Sequence, residues 1–334
     1  MTIANLTRTF GVELEVNTRR RGYTIADAIN AQFSARGIDA RCIDQTRNGY
    51  NSAVHNDISD WKIVPDPTVS GWEVVSPPMT LDAGKLQVEA VTTALQGLDC
   101  WVSRETGLHV HHDVADLTGQ QVGRAFATYA TFQELFNKMV APSRRGGYAY
   151  SKPISWERIT ENGTDDFSGE IRRADSDGYS DDIERKIRTR VAGRSVTMNI
   201  EAVHRHGTIE FRQHQGSLNA EKIMNWVMVT QSIIESAVQG TGRNLKPTLV
   251  VRAEGKPNAF RKRGEFARFR ESVKISSADN GVPMGWRDAF AEGTGPDYSG
   301  LRSHCEDYYG AAFAYFAKVV KKFAANPNAI QRAH

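Results

Sequence analysis

Cysteine is scarce in this chain. Cys42, Cys100 and Cys305 are the only three in 334 residues, and they lie far apart. An odd, scattered set gives no disulfide framework, and without a C-x-x-C pair it gives no thiolate zinc site. Long apolar runs are missing too. No stretch approaches the roughly 20 apolar residues that span a bilayer. The first twenty residues hold no apolar signal core, and the apolar tail stretch AAFAYFAKVVKKF is cut by Lys318. The expectation is a soluble, cytoplasmic protein with no membrane partner. A strong charge of one sign is also lacking. The formal net charge is +3, too small to imply nucleic acid by itself. GxxxxGK[ST], GxGxxG and HExxH do not occur, so a nucleotide would bind here by neither a P-loop nor a Rossmann turn.

A core is well supplied. Apolar residues make up 40% of the chain and aromatic residues 9%, which excludes global disorder. Alternation makes FGVELEV a strand. TIADAINAQFSARG reads as a helix, with Thr24 and Asp27 as a capping-box-like start and Gly37 as its stop. DWKIVPDPTVSGWEVVSPPM reads as two strands around a turn at 65–71. A helix from Thr80 to about Gln96 follows, then a strand at 107–113 and a long helix over 118–141. SVTMNIEAVHRHGTIEFRQH reads as a hairpin turning near His204 to Gly207. A helix starts at Asn219, with Ile223, Trp226, Val227, Thr230, Ile233 and Ile234 inward. A last helix is expected over about 299–324. Short hairpins among helices favour an α+β fold with a largely antiparallel sheet over a doubly wound one. Residues 156–190 are polar and read as an insertion, either a lid or a plain surface loop.

Four strands share a peculiarity. In GVELEV, Val12, Leu14 and Val16 point one way and Glu13 and Glu15 the other. In GWEVVS, Glu73 opposes Trp72 and Val74. In GLHVHHD, His109 and His111 oppose Leu108 and Val110. In TIEFRQH, Glu210 and Arg212 oppose Ile209 and Phe211. Each motif alone has a plain explanation: a solvated face for ExE, a cross-strand ion pair for ExR. Together, on strands of one sheet, they line a common surface with four carboxylates and two imidazoles. Carboxylate oxygens select hard cations, Mg²⁺ or alternatively Mn²⁺. Arg212 beside Glu210 suits a phosphoryl group.

At these residues the sequence resembles the putative amidoligase family, a carboxylate–amine ligase branch of the glutamine synthetase and glutamate–cysteine ligase superfamily. The matching pieces are FGVELEV, WEVVSPPM, TGLHVHHD, PSRRGGYAY, GRSVTMN and HGTIEFRQHQGSLNAEKIMNW, in order over about residues 8–238. The resemblance implies a curved antiparallel sheet of glutamine synthetase type, with helices on its convex face and ATP and Mg²⁺ on its concave face. It implies an amide formed through an acyl phosphate. Glu13, Glu15, Glu73, His109 and Glu210 would hold metal. His111 and Arg212 would touch phosphates, and Arg194 and Asn199 would face the nucleotide or acyl phosphate; Arg212, Arg194 and Glu210 are the expected catalytic set. Arg144, Arg145 and Tyr148 would reach a substrate carboxylate. Two departures stand out: Ser195 where the family often has Tyr, and Asp66-Pro67-Thr68 where an Asp-Gly-Ser-like turn is usual. On this basis residues 1–240 form the catalytic domain with an insertion at 150–190, and 241–334 a helical extension packing on it.

The acid and amine are left open among amino acids, peptides, polyamines and protein side chains, as is oligomeric state. Two other functions compete: a degenerate relative that only binds or builds, and a phosphotransferase on the same fold. Residues 259–274, with six basic groups against two acidic ones and Phe260, Phe266 and Phe269 between them, offer either a nucleic-acid contact or a solvated helix face. Arg19, Arg20 and Arg21 offer either a phosphate contact or a surface turn.

Overall fold

The computed structural model describes residues 8–47, 58–118, 139–145, 151–154 and 195–238, with individual positions between 121 and 137 and between 312 and 319. The calls on Tyr148, on 156–190, on Arg194 and on 259–274 lie outside the described residues.

Alternation carries the first strand as expected: β1 is Phe10–Asn17, with Phe10, Val12, Leu14 and Val16 all buried. Helix α1 is Gly22–Ala35. It begins two residues before Thr24, because the Arg21 carbonyl already accepts the N–H of Thr24 at 3.0 Å and of Ile25 at 3.3 Å. No side chain caps it, so the capping-box start at Thr24 and Asp27 is not used. Gly37 ends the segment with φ +63°, a conformation that glycine adopts without steric cost. Strand β2, Cys42–Asp44, is too short to show a pattern in sequence. Strands β3, Trp61–Pro65, and β4, Gly71–Val75, form the expected pair. Helix α2 is Leu81–Gly97, β5 is Gly107–Asp113 and β6 is Met198–Asn199.

Between β6 and the next strand the expected tight hairpin turn is absent. A short helix, α3, Glu201–His206, takes its place. The Asn199 side chain starts it by accepting the Glu201 N–H at 2.9 Å, and Gly207 closes it at φ +66°. Strand β7, Thr208–Gln215, and helix α4, Ala220–Val238, follow. All six residues expected inward on α4 are buried. The described positions between 121 and 139 are helical, with Val122, Phe126, Tyr129, Phe136 and Met139 buried as expected.

The fold is α+β. Among the described residues seven strands make one mixed open sheet in the order β2-β3-β4-β1-β5-β7-β6. Only β2 and β3 run parallel; the other five neighbouring pairs run antiparallel. Helices cover one face. Trp61 Nε1 donates to Gln87 Oε1 on α2 at 2.7 Å, and His112 Nε2 meets Thr230 Oγ1 on α4 at 2.8 Å. Helix α2 passes so close to β1 that a Cβ on Gly84 would sit 2.3 Å from the Phe10 ring. The apolar sides of β1, β3, β4, β5 and β7 share one core with α1, α2 and α4. Each fully buried aliphatic or aromatic side chain there contributes roughly 1.5–3 kcal/mol. Ala312, Phe316 and Val319 join that core, Phe316 lying 5.7 Å from Trp226 between ring centroids. Among the described residues no helix is long and apolar enough to cross a membrane.

Candidate active site

The side of the sheet turned away from α1, α2 and α4 gathers the polar residues of four adjacent strands. Register does this work. Glu15 on β1 stands opposite Glu73 on β4, and Glu13 opposite His109 on β5. His111 stands opposite Glu210 on β7, and Glu210 opposite Asn199 on β6. Directly opposed residues share a face with Cβ atoms about 5 Å apart, so a cluster is the necessary result. The β5–β7 register shifts between Leu108 and Val110, which sets His109 on an irregularity at the centre.

His109 is the hub. Its Nδ1 is 2.8 Å from Glu13 Oε2, 3.7 Å from Glu210 Oε1 and 4.0 Å from Glu73 Oε1; its Nε2 is 3.4 Å from Glu15 Oε1. His111 Nε2 lies 3.2 Å from Glu13 Oε1, without the alignment of a hydrogen bond, and 3.8 Å from Glu210 Oε1. Its Nδ1 meets Thr208 Oγ1 at 2.9 Å. Glu210 takes a hydrogen bond from Asn199 Nδ2 at 2.7 Å and another from Arg212 Nη1. Glu15 accepts the N–H of Gly107 at 2.6 Å. A side chain at residue 107 would displace the site, since its Cβ would stand 2.9 Å from His109 Nε2 and 3.3 Å from Glu15 Oε2.

Burial and charge pull these groups apart in proton affinity. Burial and then the carboxylates of Glu13 and Glu15 push Glu73 well above the usual carboxylate range. Burial works against the charge on Glu13, yet His111 and His109 beside it hold it well below that range. Burial likewise opposes the charge on Glu210, and Arg212 and His111 prevail, so its proton affinity falls. Burial would discharge His111, but Glu13 and Glu210 raise its proton affinity. One carboxyl driven towards protonation beside others held ionised marks a site short of positive charge.

Three sets offer ligand atoms lying within 4.8 Å of one another: Glu13, His111 and Glu210; Glu13, Glu73 and His109; Glu15, Asp66 and Glu73. Glu13 and Glu73 each belong to two sets, so neighbouring positions could share ligands. The structure therefore brings Glu13, Glu15, Glu73, His109, His111, Asn199, Glu210 and Arg212 together. It treats the loop arginines differently. Arg144 is only 1% exposed, and its Nη2 donates to the carbonyl oxygens of Glu105, at 2.9 Å, and Thr106. It ties the loop to the start of β5. Arg145 Nε donates to the Val140 carbonyl at 3.1 Å.

Asp66, Thr208 and Gly107 join the site without having been singled out in sequence. Asp66 carried a signal, since it follows β3 directly at the departure from the Asp-Gly-Ser-like turn. Thr208 and Gly107 carried none, because their roles depend on what lies across the sheet.

A family model described as putative amidoligase enzyme matches residues 6–234. The chain belongs to that family. As an amidoligase-family member it is an enzyme of ligase type, and the matched residues include all seven strands of the sheet. No curated protein matches the chain.

Proposed function

We propose that the chain is an ATP-dependent carboxylate–amine ligase that forms an amide bond through an acyl phosphate. The observation that carries the proposal is the clustering of Glu13, Glu15, Glu73, Glu210, His109 and His111 on one sheet face, with Arg212 against Glu210. A carboxylate is a poor electrophile because its leaving group would be oxide. Phosphorylation by ATP supplies a better one, an amine then displaces phosphate, and the amide results. Bringing a phosphoryl group to a carboxylate crowds negative charge, which fixed positive charge must offset.

The residues present fit Mg²⁺, with Mn²⁺ as the alternative. The donors are mainly carboxylate oxygens, and Glu73, pushed towards protonation by burial and by its carboxylate neighbours, is a group whose charge a cation would stabilise. Glu13, Glu15, Glu73, His109 and Glu210 are the proposed holders, with Asp66 added beside Glu15 and Glu73. Mg²⁺ bound there supplies the positive charge that phosphoryl transfer requires. His111, backed by Thr208, and Arg212, backed by Glu210, are directed at phosphate oxygens. Asn199, and Arg194 beyond the described residues, would face the nucleotide or the acyl phosphate. Arg144, Arg145 and Tyr148 remain the proposed substrate contacts, with Arg144 also holding the loop against the start of β5. We take the sheet as a glutamine synthetase-type scaffold with this site on its concave face, and the cell compartment as the cytoplasm.

The test is incubation with ATP, Mg²⁺ and pools of acids and amines. Phosphate release should require both an acid and an amine. A phosphorylated acceptor without amide would replace the ligase with a phosphotransferase. No nucleotide binding and no turnover with any pool would leave a binding or structural relative.

A further inference from the structure

Where β7 runs beside β5 the two strands do not match residue for residue. Val110 pairs with Phe211 and Leu108 with His214, so the single residue His109 stands against two, Arg212 and Gln213. That is a β-bulge, an extra residue that re-aims the side chains around it. Here it decides a face. His214 lies in the core, fully buried, with its ring against Trp226. Counting back from it by strict alternation, Arg212 would also point into the core. The extra residue sends Arg212 to the site face instead, where its Nη1 meets Glu210.

The bulge is held from the helix side. Tyr129, Gln133 and Asn137 are spaced four apart, so they share one face of the helical run between 121 and 139. Tyr129 donates its hydroxyl hydrogen to Gln213 Oε1, and Gln213 Nε2 donates to Asn137 Oδ1 at 2.5 Å. Gln213 is fully buried, and both ends of its amide are thus engaged. Gln133 reaches the backbone partner of Arg212. Its Oε1 accepts from Thr197 Oγ1 at 3.2 Å, and the Thr197 carbonyl accepts the Arg212 N–H at 2.8 Å. The same helical run buries Val122, Phe126, Phe136 and Met139. A polar ladder in so apolar a layer is costly wherever a partner is lost, and this one converges on the two residues of the bulge.

We infer that Tyr129 and Gln213 are positioning residues that lock the β7 bulge and thereby aim the Arg212 guanidinium at the site. Neither faces the carboxylates; both act through Arg212. What the aim serves rests on the phosphate contact proposed above for Arg212.

The test is the crystal structure of the full-length double variant Tyr129→Phe/Gln213→Met. It removes both buried polar partners and leaves only Asn137, which is half-buried. Arg212 Nη1 should leave Glu210, while Glu13, Glu73 and His109 keep their places. Affinity for a non-hydrolysable ATP analogue with Mg²⁺, measured by calorimetry, should fall by about tenfold, the scale of one hydrogen bond to a charged group. In an Arg212→Met background the same two substitutions should cost no further affinity, since no guanidinium is left to aim. Arg212 still on Glu210 overturns the inference, and so does a general displacement of the site. An equal loss of affinity in both backgrounds overturns it too, as does a loss in Arg212→Met that the double variant does not share. If the double variant does not fold, Tyr129→Phe alone, which keeps the ring, is read by the same criteria. Arg212 displaced, with both the double variant and Arg212→Met binding the analogue as wild type does, would leave the positioning standing and remove Arg212 from the phosphate contacts of the ligase reading.

Discussion

His111 and His112 are neighbours on one strand and behave in opposite ways. His111 faces the carboxylates, and Glu13 and Glu210 raise its proton affinity against the effect of burial. His112 faces the helices, where burial above all, with Arg8 and His111 adding to it, lowers its pKa to about 3. Its Nε2 meets Thr230 on α4 at 2.8 Å, and its ring lies edge-on to Phe211 with centroids 5.7 Å apart. The same side chain thus holds its proton more tightly at one position and gives it up more readily at the next. Strand parity decides which. The two faces of this sheet obey different rules: one tolerates unbalanced charge, the other excludes it.

The comparison can be broken most sharply from the site side. Glu13→Ala removes a carboxylate that belongs to two of the candidate ligand sets. We expect Mn²⁺ affinity to fall by about a hundredfold or more, the upper end for lost coordination support, while circular dichroism and denaturation midpoint stay near wild type. Unfolding of this variant would make the acidic face structural instead.

On the core side, His112→Ala should do the opposite. It leaves a cavity against Phe211 and removes the bond to Thr230, so urea denaturation should show a loss of about 2–3 kcal/mol. Mn²⁺ affinity should not change. A loss of metal binding at unchanged stability would erase the distinction between the faces. The pH response follows with its sign. His112 is neutral when folded and gains a proton on unfolding below its ordinary value of about 6.5. Its contribution is therefore complete above pH ~6.5 and is lost as pH falls towards about 3. The slope is about 1.4 kcal/mol per pH unit, and His112→Ala should flatten it; an unchanged slope would mean that His112 is charged in the fold.

The mildest probe is Thr208→Val. It removes the oxygen that fixes His111 Nδ1 and leaves every proposed ligand in place. Affinity for the non-hydrolysable ATP analogue should fall by about tenfold, with stability within about 1 kcal/mol of wild type. No change in affinity would mean that Thr208 does not position His111.

Strand parity also explains what was legible in the sequence. Period-two alternation marked Glu13, Glu15, Glu73, His109, His111, Glu210 and Arg212 as one face, and the structure gathers all seven. Thr208 and Gly107 were silent because their contacts cross from β7 to β5 and from β5 to β1, and such contacts depend on strand order. The short helix α3 was missed because six residues are too few for a helical period to compete with a strand-like flank. The carbonyl partners of Arg144 were silent for a related reason: a loop arginine does not show in sequence which backbone oxygens it will meet.

The sheet is open, yet its outer strands are the shortest in it: β2 has three residues and β6 two. A free edge presents unpaired N–H and C=O groups to any passing strand, and the hazard grows with the length of that edge. Here the four strands that carry the acidic cluster are longer, and all are interior. Among the described residues, the sheet therefore ends in two stubs that make poor templates for strand addition, and at β2 the Asn30 side chain already meets both backbone groups of Cys42. The segments most in need of protection from edge-to-edge aggregation are shielded by elements that contribute little else.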